Sequence, residues 1–126
     1  MAKVLDELYY TEDHEWLRVD GNVGFVGITD FAQGHLGDIA YIELPDAGSR
    51  FAAGEVFGVV ESIKTASDLL MPVSGTVAEK NDSAEQSPEK VNADAYDSWL
   101  IKIELEDMGE LDKLLRADAY TELTKE

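Results

Sequence analysis

The sequence contains no cysteine, only three prolines and no long apolar run. Without cysteine the chain forms no disulfide, and it offers no thiolate nucleophile, iron–sulfur ligand or zinc ribbon. Its apolar runs fall well short of the roughly 20 residues that a transmembrane helix needs. Residues 1–7 have neither the layout of a secretory signal nor the Arg- and Ser-rich character of a transit peptide. These absences predict a soluble intracellular protein.

Basic residues are also scarce, with 10 Lys and Arg against 27 Asp and Glu, which gives a net charge of −17. Affinity for nucleic acid comes from Lys and Arg that displace counterions, and an anionic membrane surface repels an acidic protein. We therefore expect neither nucleic acid nor a membrane as a partner. A length of 126 residues with 44 % hydrophobic residues suits one domain, residues 1–126. The expected location is the cytoplasm, or the mitochondrial matrix if a transit peptide has been removed.

Short segments that alternate apolar and polar residues predict a mainly β fold. The clearest is 99–105, in which every second residue from Trp99 is apolar. Similar segments span 23–28 and 39–44, and the continuous apolar run 56–60 is typical of a strand covered on both sides. The residues Asp20-Gly21-Asn22 predict a hairpin turn.

Few segments favour a helix. Asp30 can cap a short one, and Asp107 can cap a C-terminal one whose apolar stripe runs through 108–115. Residues 82–98 contain a proline and five acids against one lysine, and they predict a long surface loop with at most one helical turn.

Conventional catalysis has no visible site in the sequence. The chain lacks a nucleophile elbow, a phosphate-binding loop and a calcium loop, and the two histidines have no nucleophile beside them. A zinc site formed by His14, Glu15 and His35 lacks the usual ligand spacing, so histidines near turns are the favoured interpretation. We predict no catalytic residue and no metal ligand. Paired carboxylates for hydrolysis stay open as an alternative, although no pair stands out.

The most informative segment is 59–70, in which a polar centre interrupts two apolar arms. The simplest geometry is a β-hairpin with Lys64 at its tip, and this is the only lysine between Lys3 and Lys80. A lysine in a turn is most often an ordinary solvated residue. A Schiff-base role is disfavoured because the nearby acids Glu61 and Asp68 favour the charged form. A lysine displayed on a rigid hairpin is instead suited to carry an amide-linked cofactor.

The run 58–68, which reads GVVESIKTASD, and the following Pro72-Val73-Ser74-Gly75 resemble the lipoylation segment of the glycine cleavage system H protein family. Further blocks resemble the family in the same order along the chain, namely 10–16, 27–33, 36–39, 99–103 and 111–120. One departure lies at 95–99, where the family commonly has glycines and this chain has none.

The resemblance implies a barrel-sandwich hybrid, made of two antiparallel sheets with short helices that include C-terminal ones. It also implies a monomeric carrier without a chemical step of its own, with lipoate attached to Lys64 by a lipoate ligase or a lipoyl/octanoyl transferase. The lipoyl arm would receive the aminomethyl group of glycine from a pyridoxal-phosphate glycine decarboxylase (P protein). It would pass the group to an aminomethyltransferase (T protein) and be reoxidised by dihydrolipoamide dehydrogenase (L protein).

The positions of several acids within the matching blocks suggest a cleft for the cationic amine of the loaded arm. We expect Glu15 and Asp68 to line this cleft, with contributions from Asp13 and His35, and Glu61 to take part in recognition beside the lysine. The alternative is that these acids are simply surface charge.

Other classes of protein remain alternatives to this carrier. Within the family, some members donate lipoyl groups to other lipoate-dependent complexes. A lipoyl or biotinyl domain of a multienzyme complex is usually smaller and fused through flexible linkers. An acyl carrier protein is helical and is modified on a serine.

Overall fold

The alternating segments form the strands of two antiparallel sheets in the computed structural model, which describes residues 2–125. The larger sheet has six strands, in the spatial order β1 (Tyr9–Tyr10), β2 (Glu15–Asp20), β3 (Val23–Ile28), β9 (Ile101–Leu105), β8 (Gly75–Lys80) and β5 (Arg50–Phe51). The smaller sheet has the order β4 (Ile39–Glu43), β6 (Val56–Ser62) and β7 (Ala66–Leu70). The prediction of a mainly β fold is confirmed.

The predicted hairpin between β2 and β3 is present. Asp20 pairs with Val23, and Gly21 between them has φ +64°, a left-handed conformation that glycine adopts without steric cost. A second close pairing follows from this register, because Trp16 lies opposite Gly27. A Cβ atom at Gly27 would stand 2.6 Å from the indole ring, so only glycine leaves room for Trp16 there.

Four short helices surround the sheets: α1 (Asp30–Leu36), α2 (Asp82–Gln86), α3 (Glu89–Ala93) and α4 (Ala117–Leu123). The prediction of a surface loop over 82–98 was wrong for residues 82–93, most of which form α2 and α3. Asn81 caps α2 by accepting from the Ser83 N–H, and Ala84 and Val91 are buried in the core. None of the helices within residues 2–125 is both long enough and apolar enough to span a membrane.

The helix ends differ in detail from the sequence predictions. Thr29 rather than Asp30 caps α1, and its hydroxyl accepts from the Ala32 N–H. Asp107 does cap the C-terminal segment, but that segment is a 3-10 helix over Met108–Lys113. It does not continue as one α-helix because Leu115 forms a β-bridge with Tyr10 before α4 begins.

The core has two parts. Apolar side chains from both sheets fill the space between them, including Leu17, Val60, Leu69 and Ile103. A second cluster joins the two ends of the chain and contains Leu8, Tyr10, Trp16, Tyr96 and Tyr120. In this second cluster the rings of Tyr10 and Tyr120 stack 4.5 Å apart. The packing of α4 against β1 therefore fixes the C-terminal helix beside the loop that precedes β2.

Candidate functional site

The turn that carries Lys64 joins β6 to β7 at one end of the smaller sheet. The Ser62 N–H donates to the Thr65 carbonyl over 2.7 Å, and the Ser62 hydroxyl accepts from the Thr65 N–H over 3.2 Å. These bonds close the turn. The two side chains between them point into solvent, since Ile63 is 82 % exposed and Lys64 is exposed as well. The hairpin is thus ordered at its base and presents Lys64 outward.

The segment 37–39 supports this turn from the side. The Ile63 N–H donates to the Asp38 carbonyl over 3.2 Å. A Cβ atom at Gly37 would stand 3.5 Å from Lys64 Cε, so the aliphatic part of the lysine side chain lies against this glycine. Gly37 also has φ +79° at the end of α1, where a larger residue would be strained. The root of the Lys64 side chain therefore rests on a fixed backbone.

Asn92 on α3 also holds this segment in place. Its Nδ2 donates to the Gly37 carbonyl and to Gln33 Oε1, each over 2.9 Å, and its Oδ1 accepts from the Ile39 N–H over 2.9 Å. One amide side chain thus makes three bonds around the end of α1. Asn92 was not predicted from the sequence, because it lies in the segment that was expected to form a loop.

A cleft of about 360 Å³ begins at Thr65, next to Lys64, and runs between the β6–β7 hairpin and α1. Four of the five predicted recognition residues line it, namely Asp13, Glu15, His35 and Asp68. The rest of its lining is largely apolar and consists of His14, Ile28, Phe31, Ala32, Leu36, Val60, Thr65, Ala66, Ser67 and Leu69. Acids from two distant parts of the sequence are therefore brought together beside the Lys64 turn.

Glu61 does not line this cleft. It pairs with Tyr41 on β4 and is exposed on the smaller sheet. From the hairpin, the cleft lining takes Val60 of β6 and the run from Thr65 to Leu69, but not Glu61. A role for Glu61 in recognition stays a prediction, and the structure gives it a different location from the other four residues.

Glu15 is the buried acid of the cleft, with 3 % of its surface exposed. Its Oε1 accepts from the Thr11 hydroxyl over 2.9 Å, and its Oε2 accepts from the Leu70 N–H over 3.4 Å. Burial raises the pKa of Glu15 to about 8, against the lowering effect of these two bonds, and the nearby Asp13 raises it further. Near neutral pH this side chain is therefore predominantly an uncharged acid.

The arrangement can bind a short chain that ends in a cation. Apolar side chains such as Phe31 and Leu69 contact aliphatic groups, and the carboxyl groups of Glu15, Asp13 and Asp68 provide acceptors for an ammonium group. Among residues 2–125 there is no group of three His, Asp or Glu side chains placed to hold a metal ion. The chemistry on offer is recognition of a charged end group.

The raised pKa of Glu15 predicts how stability depends on pH. Between about pH 5 and 8 the folded protein keeps a proton on Glu15 that the unfolded chain has lost, so the free energy of unfolding falls as pH rises. The fall is about 1.4 kcal/mol per pH unit at most and ends above the folded-state pKa. Urea denaturation from pH 5 to 9 measures it.

Glu15→Gln is the matched variant for this prediction, because the amide keeps an acceptor for the Thr11 hydroxyl but does not titrate. We expect the stability of this variant to depend less steeply on pH than that of the wild type. The exposed acid Glu12 serves as the control, since Glu12→Gln leaves in place both Glu15 and the groups that shift the pKa of Glu15. Equal slopes for wild type and Glu15→Gln would contradict the prediction.

The family profile and the individual relatives that match this chain all point to the same family. The profile described as "Glycine cleavage H-protein" matches residues 8–126. The chain is 53 % identical over 127 aligned positions to the glycine cleavage system H protein of Symbiobacterium thermophilum, covering 100 % of this chain and 99 % of the relative. It is 52 % identical, also over 127 positions, to that of Carboxydothermus hydrogenoformans, covering 100 % and 98 %.

A solved structure agrees with these relatives. The crystal structure of a glycine cleavage system H protein from Mycobacterium marinum superposes with a TM-score of 0.87 at 37 % identity, covering 94 % of this chain and 97 % of that one. The fold class and the family resemblance expected from the sequence are both confirmed. The chain belongs to the glycine cleavage H-protein family, the carrier component of the glycine cleavage system rather than one of its enzymes.

Proposed function

We propose that Lys64 carries lipoate in amide linkage and that residues 1–126 act as a single lipoyl-carrier domain. The observation that carries this proposal is the exposed Lys64 on a hydrogen-bonded hairpin, with a cleft for a cationic end group opening beside it. Bound to Lys64, lipoate would supply a disulfide able to accept the aminomethyl group of glycine as carbon dioxide leaves. We infer that the P protein loads this group, the T protein removes it and the L protein reoxidises the resulting dithiol.

The hairpin's contribution is to fix one end of the arm. Because Ser62 and Thr65 close the turn and Asp38 anchors it, the arm swings from a fixed root instead of from a flexible loop. Tethering keeps the transferred group at a high local concentration near each partner enzyme, in place of free diffusion. The exposed turn leaves Lys64 accessible to the enzyme that modifies it, a lipoate ligase or a lipoyl/octanoyl transferase.

The cleft's contribution is to hold the charged end of the arm between visits. An ammonium group that reaches Glu15 favours the ionised form of that acid, so the proton leaves as the ion pair forms. Asp68 and Asp13 at the same cleft add acceptors. The apolar lining limits the access of water, which protects the aminomethyl group from early release.

The acidic surface supports the assignment of partners. A net charge of −17 favours approach to basic surfaces and raises the rate of such encounters at low ionic strength. We propose the P, T and L proteins as partners that dock with complementary basic patches, and a monomeric state for the carrier itself. The relatives compared above are bacterial, so we propose a cytoplasmic location.

The test of this proposal is intact mass spectrometry of the purified chain before and after incubation with lipoate, ATP and a lipoate ligase. The expected result is the addition of one lipoyl group, which peptide mapping places on Lys64. Parallel incubation with a biotin ligase and biotin is the control and is expected to leave the mass unchanged. A lipoyl group on any other lysine, or no addition at all, would overturn the proposal.

A further inference from the structure

A buried hydrogen-bond chain joins the two walls of the cleft through the C-terminal helix. Tyr120 on α4 is fully buried, and its hydroxyl lies 2.9 Å from His14 Nδ1 and 2.7 Å from Thr29 Oγ1. His14 immediately precedes Glu15 on one wall of the cleft. Thr29 caps α1, which carries Phe31 and His35 on the other wall. Tyr120 thus contacts both walls without lining the cleft.

The number of hydrogens available determines which group donates in each bond of this hydrogen-bond chain. Thr29 Oγ1 already accepts from the Ala32 N–H, and the only acceptor within residues 2–125 shown for its own hydrogen is the Tyr120 oxygen. Thr29 therefore donates to Tyr120, which leaves the Tyr120 hydrogen to donate to His14 Nδ1. That bond requires an unprotonated Nδ1, so His14 is neutral and carries its proton on Nε2. The opposite direction would leave the buried Thr29 hydroxyl hydrogen unpaired, which is costly.

His14 has an unusual backbone conformation at the point where the chain enters β2. Among residues 2–125 it is the only non-glycine residue with a positive φ, +71°, a conformation that costs about 1 kcal/mol or more. Its N–H donates to the Thr11 carbonyl over 3.1 Å, and its carbonyl accepts from the Thr29 N–H over 3.0 Å. This left-handed residue sets the direction in which the chain enters β2, and with it the place of Glu15.

The surroundings of His14 agree with a neutral ring. Phe31 packs against it at 4.7 Å between ring centroids and also contacts His35 at 4.2 Å. The charged or titratable groups around His14 are Asp13 and His35, together with the neutral Tyr120 hydroxyl. Burial is the main influence and lowers the pKa of His14; His35 lowers it further, and Asp13 opposes the shift.

We propose that Tyr120 is a positioning residue for the cleft: its hydroxyl ties His14 to Thr29, holds His14 as the neutral Nε2-protonated tautomer, and thereby fixes Glu15 relative to α1. The hydrogen-bond chain stands independently of what the cleft binds. Its consequence for retention of the arm's amine rests on the proposed function. The two parts therefore need separate measurements.

Tyr120→Phe tests the hydrogen-bond chain, because it removes one oxygen and keeps the ring that stacks on Tyr10. The measurement is ¹⁵N NMR of the histidine side chains in the unlipoylated full chain from pH 5 to 8. In the wild type we expect His14 with an unprotonated Nδ1. In the variant we expect a mixture of tautomers and a higher midpoint of protonation for His14. Tyr9→Phe, which removes the hydroxyl of a neighbouring half-buried tyrosine, is the matched control and is expected to leave the His14 signals unchanged.

A second measurement tests positioning of the cleft. The lipoylated protein is loaded by glycine decarboxylase from glycine labelled with ¹⁴C at C2, because the carboxyl carbon leaves as carbon dioxide, and loss of label from the protein is followed without the T protein. Tyr120→Phe removes the hydroxyl that bonds His14 and Thr29, and one hydrogen bond corresponds to a change in rate of up to about tenfold. We therefore expect the label to be lost about tenfold faster from Tyr120→Phe than from wild type or Tyr9→Phe. Glu15→Ala provides the rate expected when the cleft acid is absent.

The outcomes separate the two proposals. If wild type loses label as fast as Glu15→Ala, the protective role of the cleft fails, and the NMR result alone decides the hydrogen-bond chain. If wild type protects the label and Tyr120→Phe protects it equally well, the positioning role of Tyr120 is overturned. A protonated Nδ1 of His14 in the wild type at neutral pH overturns the chain's direction, and this holds even if the Tyr120 variant does not fold.

Discussion

Lys64→Arg is expected to abolish lipoylation and, with it, all carrier activity in a reconstituted glycine cleavage assay. Arginine keeps the positive charge and a long aliphatic side chain, but its guanidinium group does not lose a proton in proteins and is a poor nucleophile for amide formation. Because Lys64 is exposed and its turn is closed by hydrogen bonds between Ser62 and Thr65, in which Lys64 takes no part, the fold is expected to stay intact. Glycine-dependent release of carbon dioxide measures activity, and intact mass measures lipoylation.

Lys113→Arg is the matched control for this experiment. Lys113 is also an exposed lysine, and it lies at the end of the 3-10 helix, away from the cleft. Its replacement is expected to leave the thermal midpoint, the extent of lipoylation and the activity unchanged. Carrier activity that persists in Lys64→Arg would show that another group carries the arm, and the proposed function would then be wrong.

Gly58→Ala is expected to have the largest effect on stability. A Cβ atom at Gly58 would overlap the carbonyl oxygen of Glu43, a backbone atom of β4 that cannot rotate away. On β6 the same position adjoins Leu69 of the neighbouring strand, so the added methyl group has no free side to occupy. We expect a loss of about 3 kcal/mol, at the upper end for overpacking, and a midpoint lower by roughly 10 °C. Calorimetry and urea denaturation measure both.

Gly34→Ala is the control, because Gly34 lies in the exposed part of α1 and a Cβ atom there would meet no atom within 4 Å. Alanine is favoured over glycine in a helix, so this variant is expected to gain about 0.5–1 kcal/mol. A similar small change for both variants would mean that β4 yields at Glu43 without cost, contrary to the prediction.

The strands and the Lys64 hairpin were predictable because their signals are local. Alternation with a period of two marks one buried face of a strand, and the sequence at Asp20–Asn22 fits a two-residue turn. The polar centre of 59–70 similarly marked a turn at Lys64. The gathering of Glu15, Asp13, Asp68 and His35 followed from the family resemblance, since no local pattern connects Asp13 and Glu15 with Asp68, which lies more than 50 positions further along the chain.

The features that were not predicted from the sequence depend on contacts between residues that are far apart along the chain. Asn92 bonds residues 53 to 59 positions away, and Tyr120 bonds residues 91 and 106 positions away. Helices α2 and α3 are too short and too acidic for a periodic signal, and they form because Ala84 and Val91 are buried by the core. Either Thr29 or Asp30 has a suitable side chain for a cap, and only the folded backbone selects Thr29.

Under the proposed function, the uncharged state of Glu15 gives the cleft a means to distinguish a loaded lipoyl arm from an empty one. A neutral carboxylic acid offers little attraction to a thiol or a disulfide, so an arm without cargo gains little by staying. An arm that ends in an ammonium group would turn the same side chain into a carboxylate counter-ion, and Glu15 would release its proton to solvent. Selectivity would then come from the ionisation of Glu15 when the ammonium group arrives. The empty arm would leave the cleft without breaking an ion pair and would be free to bind the next enzyme.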